Sequence, residues 1–286
     1  MDAKFWFDSW DKGGFYTSFH RNDIHPYVLK YLDPIELRGK IVLVPLCGKS
    51  IDMLYLSTFA EKVIGVEIVE KAILAFFEEN NLSYEQPDAE TYVSGNITLL
   101  RKDFMALTPK EIGPIDWVYD RAALVALPDS MRKEYLTAID RLTGVGTQSL
   151  VITLEYAPAI HSAPFSIPAQ EVEDYYSAGH FIKHAESPLL MQHGMVRRWN
   201  LEFLYEHGFI LTKQRGDIAE RTTGTENFSL LLTSFVVKQN KRRRILRRLF
   251  CLKVFINYTS QIRTHFFSDS SIPALSLAFG TNSCPM

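Results

Sequence analysis

The order of apolar patterns along the chain predicts an α/β fold, with helices on both faces of a mostly parallel sheet. Short, largely β-branched runs at 41–44, 63–66 and 150–154 have the continuous apolar character of strands buried on both faces. Segments with helical spacing stand between them, such as Met53, Leu54 and Leu56, then Ile73, Leu74, Phe76 and Phe77. This alternation, sustained to residue 213, is the pattern of strands joined by crossover helices.

The elements can be justified in order. The first thirty residues are aromatic-rich, with Phe5, Trp6, Phe7, Trp10, Phe15, Tyr16 and Phe19. They read either as an arm packed on the domain or as a lid hinged at Gly13-Gly14. A short amphipathic helix follows over 23–32. The strand at 41–44 is ended by Pro45, and Leu46-Cys47-Gly48-Lys49 makes a tight loop before a helix opened by Ser50 and Asp52. The strand at 63–66 ends on Glu67. A helix over 71–80 precedes a loop or edge segment at 81–96. The strand at 97–100 runs out near Asp103-Phe104, and the one at 115–119 runs into Asp120-Arg121. Pro128-Asp129 starts a helix to about 142, closed by Gly144 and Gly146. After the strand at 150–154 come a proline-rich loop, a helix at 171–176 and a strand at 181–185. A helix over 200–207, ended by Gly208, and a strand over 209–213 complete the pattern. Residues 227–237 read as a further strand, and 241–255 as a basic amphipathic helix. The domain is accordingly set at 1–240, with 1–33 as its aromatic arm and 241–286 as an extension.

Composition narrows the function. The hydrophobic fraction of 47% supports a large core. The formal charge of −2 conceals an asymmetry. Residues 238–286 hold nine of the 31 Lys/Arg and one of the 33 acids, which leaves 22 basic and 32 acidic side chains before them. An acidic body argues against nucleic-acid binding. The basic helix is read as a solvated or self-docked face in preference to a membrane-surface contact. Three scattered cysteines, Cys47, Cys251 and Cys284, suit neither a disulfide framework nor a metal site. The opening MDAKFWFDSWDK contains acids and no long apolar core, so no secretory leader is expected, and no run reaches the length of a membrane span. A monomeric cytoplasmic protein acting on a small molecule is the expectation.

Several special features fall at strand carboxyl ends: Leu46-Cys47-Gly48, Glu67, Asp103-Phe104 and Asp120-Arg121. Ligands of open α/β sheets bind there, and an acid after the second strand can accept hydrogen bonds from both ribose hydroxyls. The loop after the first strand has one glycine and includes Pro45 and Leu46, unlike a pyrophosphate cradle. A nucleoside without phosphates, such as S-adenosylmethionine (SAM), fits better. The competing reading is an ordinary crossover with an exposed Glu67.

The strings VLVPLCGKSIDM, GVE, DF and YDRAALVALP followed by an Arg resemble the thiopurine S-methyltransferase family, with similarity from Phe5-Trp6 to about Lys213. The resemblance implies a class I methyltransferase with a seven-stranded sheet and SAM as methyl donor. It implies that Trp10 covers SAM, that Leu46 and Gly48 lie under its methionine part, that Glu67 binds its ribose, and that Asp103 and Phe104 flank the adenine. Arg121 would sit at the donor–acceptor junction as the catalytic residue. Phe19, His20 and Phe165 would lie near the acceptor; the family's proline pair before the phenylalanine appears here as Ala163-Pro164.

The residue types suit this chemistry. A sulfonium donor is already activated, so the protein chiefly has to align the partners in a dry site. A thiolate acceptor needs no strong base, and no Ser/His/Asp or Cys/His constellation stands out. Arg121 is a fixed cation that cannot serve as a base and is suited to orienting an electron-rich acceptor. His20 is a possible proton acceptor, with a packed or surface histidine as the plainer reading. Transfer to a small thiol or thiopurine is the leading expectation. Halide, thiocyanate or selenium and tellurium anions are alternative acceptors, and a non-catalytic SAM-fold protein with a partner-binding tail is a different class.

Overall fold

A computed structural model describes residues 3–13 and 22–215. The segments read as a strand at 227–237 and a basic helix at 241–255, together with Gly14, Phe19 and His20, lie outside the described residues. The elements in chain order are α1 (Ala3–Lys12), α2 (Pro26–Tyr31), α3 (Pro34–Leu37), β1 (Ile41–Pro45), α4 (Asp52–Phe59), β2 (Lys62–Glu67) and α5 (Glu70–Glu79). Then come β3 (Glu85–Asp88), β4 (Thr91–Ser94), β5 (Ile97–Arg101), α6 (Pro109–Ile112), β6 (Trp117–Arg121), α7 (Asp129–Leu142) and β7 (Gln148–Ala157). The last are α8 (Ala169–Tyr176), β8 (His180–Glu186), α9 (Gly194–Trp199) and β9 (Phe203–Lys213).

The strands form one sheet in the order β3-β4-β5-β2-β1-β6-β7-β9-β8. From β5 to β7 all neighbours are parallel, and β9 and β8 follow antiparallel. Strand order reverses between β1 and β6. Chain progress runs outward to β2 and β5 on one side and to β7 on the other, which opens a crevice at the carboxyl ends of β1 and β6.

Two expectations need correction. The sheet has nine strands among the described residues, where seven were expected. The extra pair is the hairpin β3–β4, added antiparallel to β5 from the segment read as loop or edge. Its outer strand, EQPD, is exposed throughout and carries a proline, so it has no burial pattern to read; proline is tolerated there because an edge strand has an unpaired side. The second correction concerns the helix expected over 200–207. It is strand: β9 pairs with β7 continuously from Phe203 to Thr212. The nearby helix is α9, which ends before Asn200, a residue in the left-handed conformation at φ 50°. Leu201, Leu204 and Tyr205 match helical spacing by chance, and Gly208 is not a helix stop. A Cβ at Gly208 would lie 2.9 Å from the ring of Tyr27, so glycine permits close packing there.

Alternation along β1 sends Val42 and Val44 to one face and Leu43 to the other. The first face packs on Val28 and Leu32, on Met53 and Leu56 of α4, and on Ile73, Phe76 and Phe77 of α5. The second packs on Tyr135, Ala138 and Ile139 of α7 and Val172 of α8. Helices therefore cover both faces, and the sheet's carboxyl edge is where side chains meet solvent.

Candidate active site

The loop after β1 is fastened to β2. Cys47 N–H donates to Val66 O at 3.0 Å, and Gly48 N–H to Glu67 Oε2 at 2.9 Å. Gly65 lies beneath this loop; a Cβ there would come within 2.8 Å of Cys47 Sγ and 2.5 Å of Leu99 Cδ2. Gly48 has φ 51°, a conformation glycine adopts freely, but Leu46 has φ 46°, which a side chain disfavours. The second such cavity-lining residue is Ala122, at φ 66°, immediately after β6. Each strained residue follows one of the two strands flanking the topological switch. Strain of this kind costs about 1–3 kcal/mol per residue and concentrates at functional sites.

Glu67 ends β2 and is 7% exposed. Its other oxygen, Oε1, accepts Val69 N–H at 2.8 Å. Burial raises its pKa from the ordinary carboxylate value, and the backbone N–H donors of Val69, Gly48 and Ile68 oppose that shift. Each oxygen keeps acceptor capacity beyond its single amide bond. Asp103 is exposed and caps the 3-10 turn Phe104–Ala106, with Oδ1 accepting Met105 N–H at 2.9 Å. Phe104 is buried, its ring centroid 5.4 Å from that of Tyr135.

Arg121 is the last residue of β6 and half-buried; its backbone is paired with Ile152 of β7, and its side chain makes no hydrogen bond or ion pair to another described residue. Its neighbour Asp120 is fully buried and points to the other side of the strand. Asp120 Oδ2 accepts Tyr135 O–H at 2.7 Å, and Oδ1 accepts Leu124 N–H at 3.2 Å. Burial pushes its pKa up to about 6 despite these donors. Asp120 therefore anchors the turn carrying residues 122–127, and Arg121 is left facing the cleft.

One cavity gathers these parts. Trp10, Leu46, Gly48, Glu67, Asp103, Phe104 and Arg121 all line it. Helix α1 closes one side: Trp10 is buried against Val69 and Ala72 at the start of α5, and Phe5 and Trp6 also line the space. The wall after β6 is apolar, formed by Ala122, Val125, Ala126, Leu127 and Met131, and Ala163 and Pro164 also line the cavity. Phe165 is not among the lining residues; its ring instead lies against the Arg132 guanidinium, 5.9 Å from Cζ. Cys47 lines the cavity too, but burial drives its thiol pKa well above the usual value, as expected for a structural cysteine. The 122–127 wall was not singled out residue by residue, because its apolar composition reads as core.

The site suits SAM on its own geometry. A buried carboxylate ends the second strand, a side-chain-free turn at Gly48 leaves room beside it, and an aromatic ring flanks the opening.

Comparison with known proteins agrees. A family model described as thiopurine S-methyltransferase matches residues 1–214. A thiopurine S-methyltransferase of Pseudomonas aeruginosa PAO1 is 37% identical over 191 residues, 65% of this chain and 87% of that protein. One from Bordetella pertussis is 40% identical over 185 residues, 63% of this chain and 83% of that protein. Among solved structures, a SAM-dependent methyltransferase from Anabaena variabilis superposes with TM-score 0.51 at 16% identity, covering 74% of this chain and 95% of that one. Sequence match and site geometry converge: the chain belongs to the thiopurine S-methyltransferase family of SAM-dependent methyltransferases.

Proposed function

We propose that the protein transfers the methyl group of SAM to the sulfur of a small, largely apolar thiol or thiopurine. The observation that carries this reading is Arg121, which ends β6 and, among the described residues, puts a guanidinium beside the apolar lining residues Ala122, Val125, Ala126 and Leu127 in the same cavity as Glu67. SAM would supply a methyl group activated on a sulfonium: an acceptor thiolate sulfur would bond to the methyl carbon in line as the carbon–sulfonium bond breaks, and the donor would leave as the neutral thioether S-adenosylhomocysteine. Glu67 holds the ribose diol, with its two backbone donors keeping the carboxylate in place. Leu46 and Gly48 support the methionine part, Asp103 and Phe104 the adenine, and Trp10 covers the donor. Arg121 draws the anionic sulfur and orients it, acting as a fixed charge and not as a base. The apolar residues 125–127 exclude water and hold the remainder of the acceptor. His20 and Phe19 are assigned to the acceptor side by the family resemblance alone, and Phe165 acts one layer behind the cavity. Residues 1–240 form the catalytic domain, which we place in the cytoplasm as a monomer.

An apolar wall favours a thiolate carried on an organic ring over iodide, thiocyanate or a selenium anion, because only the former buries apolar surface there. With SAM saturating, kcat/KM should be higher for aromatic thiols and thiopurines than for these inorganic anions. A tenfold preference for any inorganic anion would overturn the assignment.

A further inference from the structure

The Arg that follows the YDRAALVALP string is Arg132, on the first turns of α7. It does not reach the cavity, and the proposed chemistry does not use it. It is nonetheless 5% exposed, an unusual place for a guanidinium. Its Nε donates to Leu127 O at 3.1 Å, the carbonyl at the end of the apolar wall. Its Nη1 donates to Glu171 Oε1 at 2.5 Å and to Tyr175 Oη at 3.4 Å, both on α8. Tyr175 O–H also donates to Glu171. The ring of Phe165 lies against the same guanidinium.

The segment that follows the proline-rich loop is held from both sides. Phe165 N–H donates to Val125 O at 2.6 Å, and Ile167 N–H to Leu154 O at 2.7 Å. The two walls of the acceptor half, residues 125–127 and residues 163–164, are thus joined directly at Val125–Phe165 and indirectly through Arg132. Arg132 is buried while Glu171 is partly exposed; an ion pair that desolvates one partner is weak evidence for stability, and the best-attested use of such pairs is to fix one arrangement among several. A planar fork with several donors can tie a loop carbonyl, a helix carboxylate and an aromatic ring at once, which a lysine cannot.

We infer that Arg132 is a positioning residue: with Glu171 and Phe165 it clamps the two acceptor-side walls at a fixed separation and so sets acceptor affinity without touching either substrate. The assignment rests on the methyl-transfer reading for its kinetic consequence, but the clamp has a signature of its own. In Arg132→Met the amides of Phe165 and Ile167 should exchange with deuterium at least tenfold faster, while amides of β1 and β2 keep wild-type rates. SAM affinity by calorimetry should stay within twofold. With a thiol that the wild type methylates, acceptor KM should rise tenfold or more while kcat at saturation stays within threefold. Arg132→Lys should recover less than half of the KM effect on a logarithmic scale. Glu171→Gln, which keeps the shape of α8, should move the same amides and the same KM in a smaller degree, and it substitutes if Arg132→Met does not fold.

Unchanged exchange at Phe165 and Ile167, or a loss of SAM affinity in step with acceptor KM, would overturn the clamp. A wild-type protein that binds SAM but methylates no thiol would instead count against the proposed function, and the exchange comparison would still decide the clamp.

Discussion

Glu67→Ala removes more than a ligand contact, because the carboxylate joins two loops. In the free protein each oxygen accepts one backbone N–H, from Gly48 at 2.9 Å and from Val69 at 2.8 Å. Truncation leaves both donors without that partner, but it also removes a buried charge, which is why the fold should survive with a modest loss of about 1–3 kcal/mol. Binding should suffer separately. Two ribose hydroxyls donating to a carboxylate contribute about 1.5 kcal/mol each at the lower end of charge-assisted bonds, or about 3 kcal/mol together, roughly a 150-fold weaker Kd. Glu67→Gln is the sharper probe. Its amide group has one oxygen and one NH2, so whichever orientation it takes, NH2 must face the N–H of either Gly48 or Val69. Gln should therefore retain part of the affinity and also disturb one loop. Isothermal titration with SAM, on variants shown to be folded by circular dichroism, measures the effect. A Glu67→Ala variant binding SAM within threefold of wild type would refute the argument and remove Glu67 from the donor site.

Further predictions follow from the other strand ends. Arg121→Ala should lower kcat at least tenfold and leave SAM Kd within threefold, and Arg121→Lys should recover only part, since it keeps the charge without the fork; equal kcat for Arg121→Ala and wild type would remove this role. Asp120 has a folded pKa of about 6 against an ordinary 3.8, so its contribution to stability is full below the lower value and is lost as pH rises through the higher. The shift of about two units corresponds to about 3 kcal/mol, so denaturant unfolding should show Asp120→Asn gaining that much relative to wild type between pH 3.5 and 7; a difference that does not change with pH would contradict it. The donor-side motifs all lie before residue 122 and the family match ends at residue 214, so truncation after Asn240 should preserve SAM affinity and turnover; a folded but inactive truncated protein would place the tail in the site.

What could be read from sequence follows the physics of each signal. Strands β1 and β2 were legible because burial on both faces demands continuous apolar residues, and Glu67 was legible because a carboxylate directly after such a strand breaks that pattern. The hairpin β3–β4 was not, since a strand such as EQPD buries nothing. β9 was misread in its first half because Leu201, Leu204 and Tyr205 happen to fit the helical period, which only the pairing with β7 overrules. The cavity's apolar wall and the left-handed turns at Leu46 and Ala122 gave no signal, since neither backbone conformation is typical of those residue types. Arg132 was visible within its motif, but Phe165 lies in a loop and Glu171 on α8, both more than thirty residues later, so its partners could not be read from spacing. Phe165 followed the resemblance to the right loop and missed the lining by one residue.

The central claim is that this cavity transfers a methyl group from SAM to sulfur, with Glu67 on the donor side and Arg121 facing the acceptor. Trideuteromethyl-labelled SAM and a thiopurine, incubated with wild type and Arg121→Ala and read by mass spectrometry, test it directly. The account predicts a product labelled on sulfur from the wild type, and at least tenfold less from an Arg121→Ala variant that still binds SAM. A folded, SAM-binding wild type that yields no labelled thiopurine, or an Arg121→Ala variant that yields as much, would contradict it.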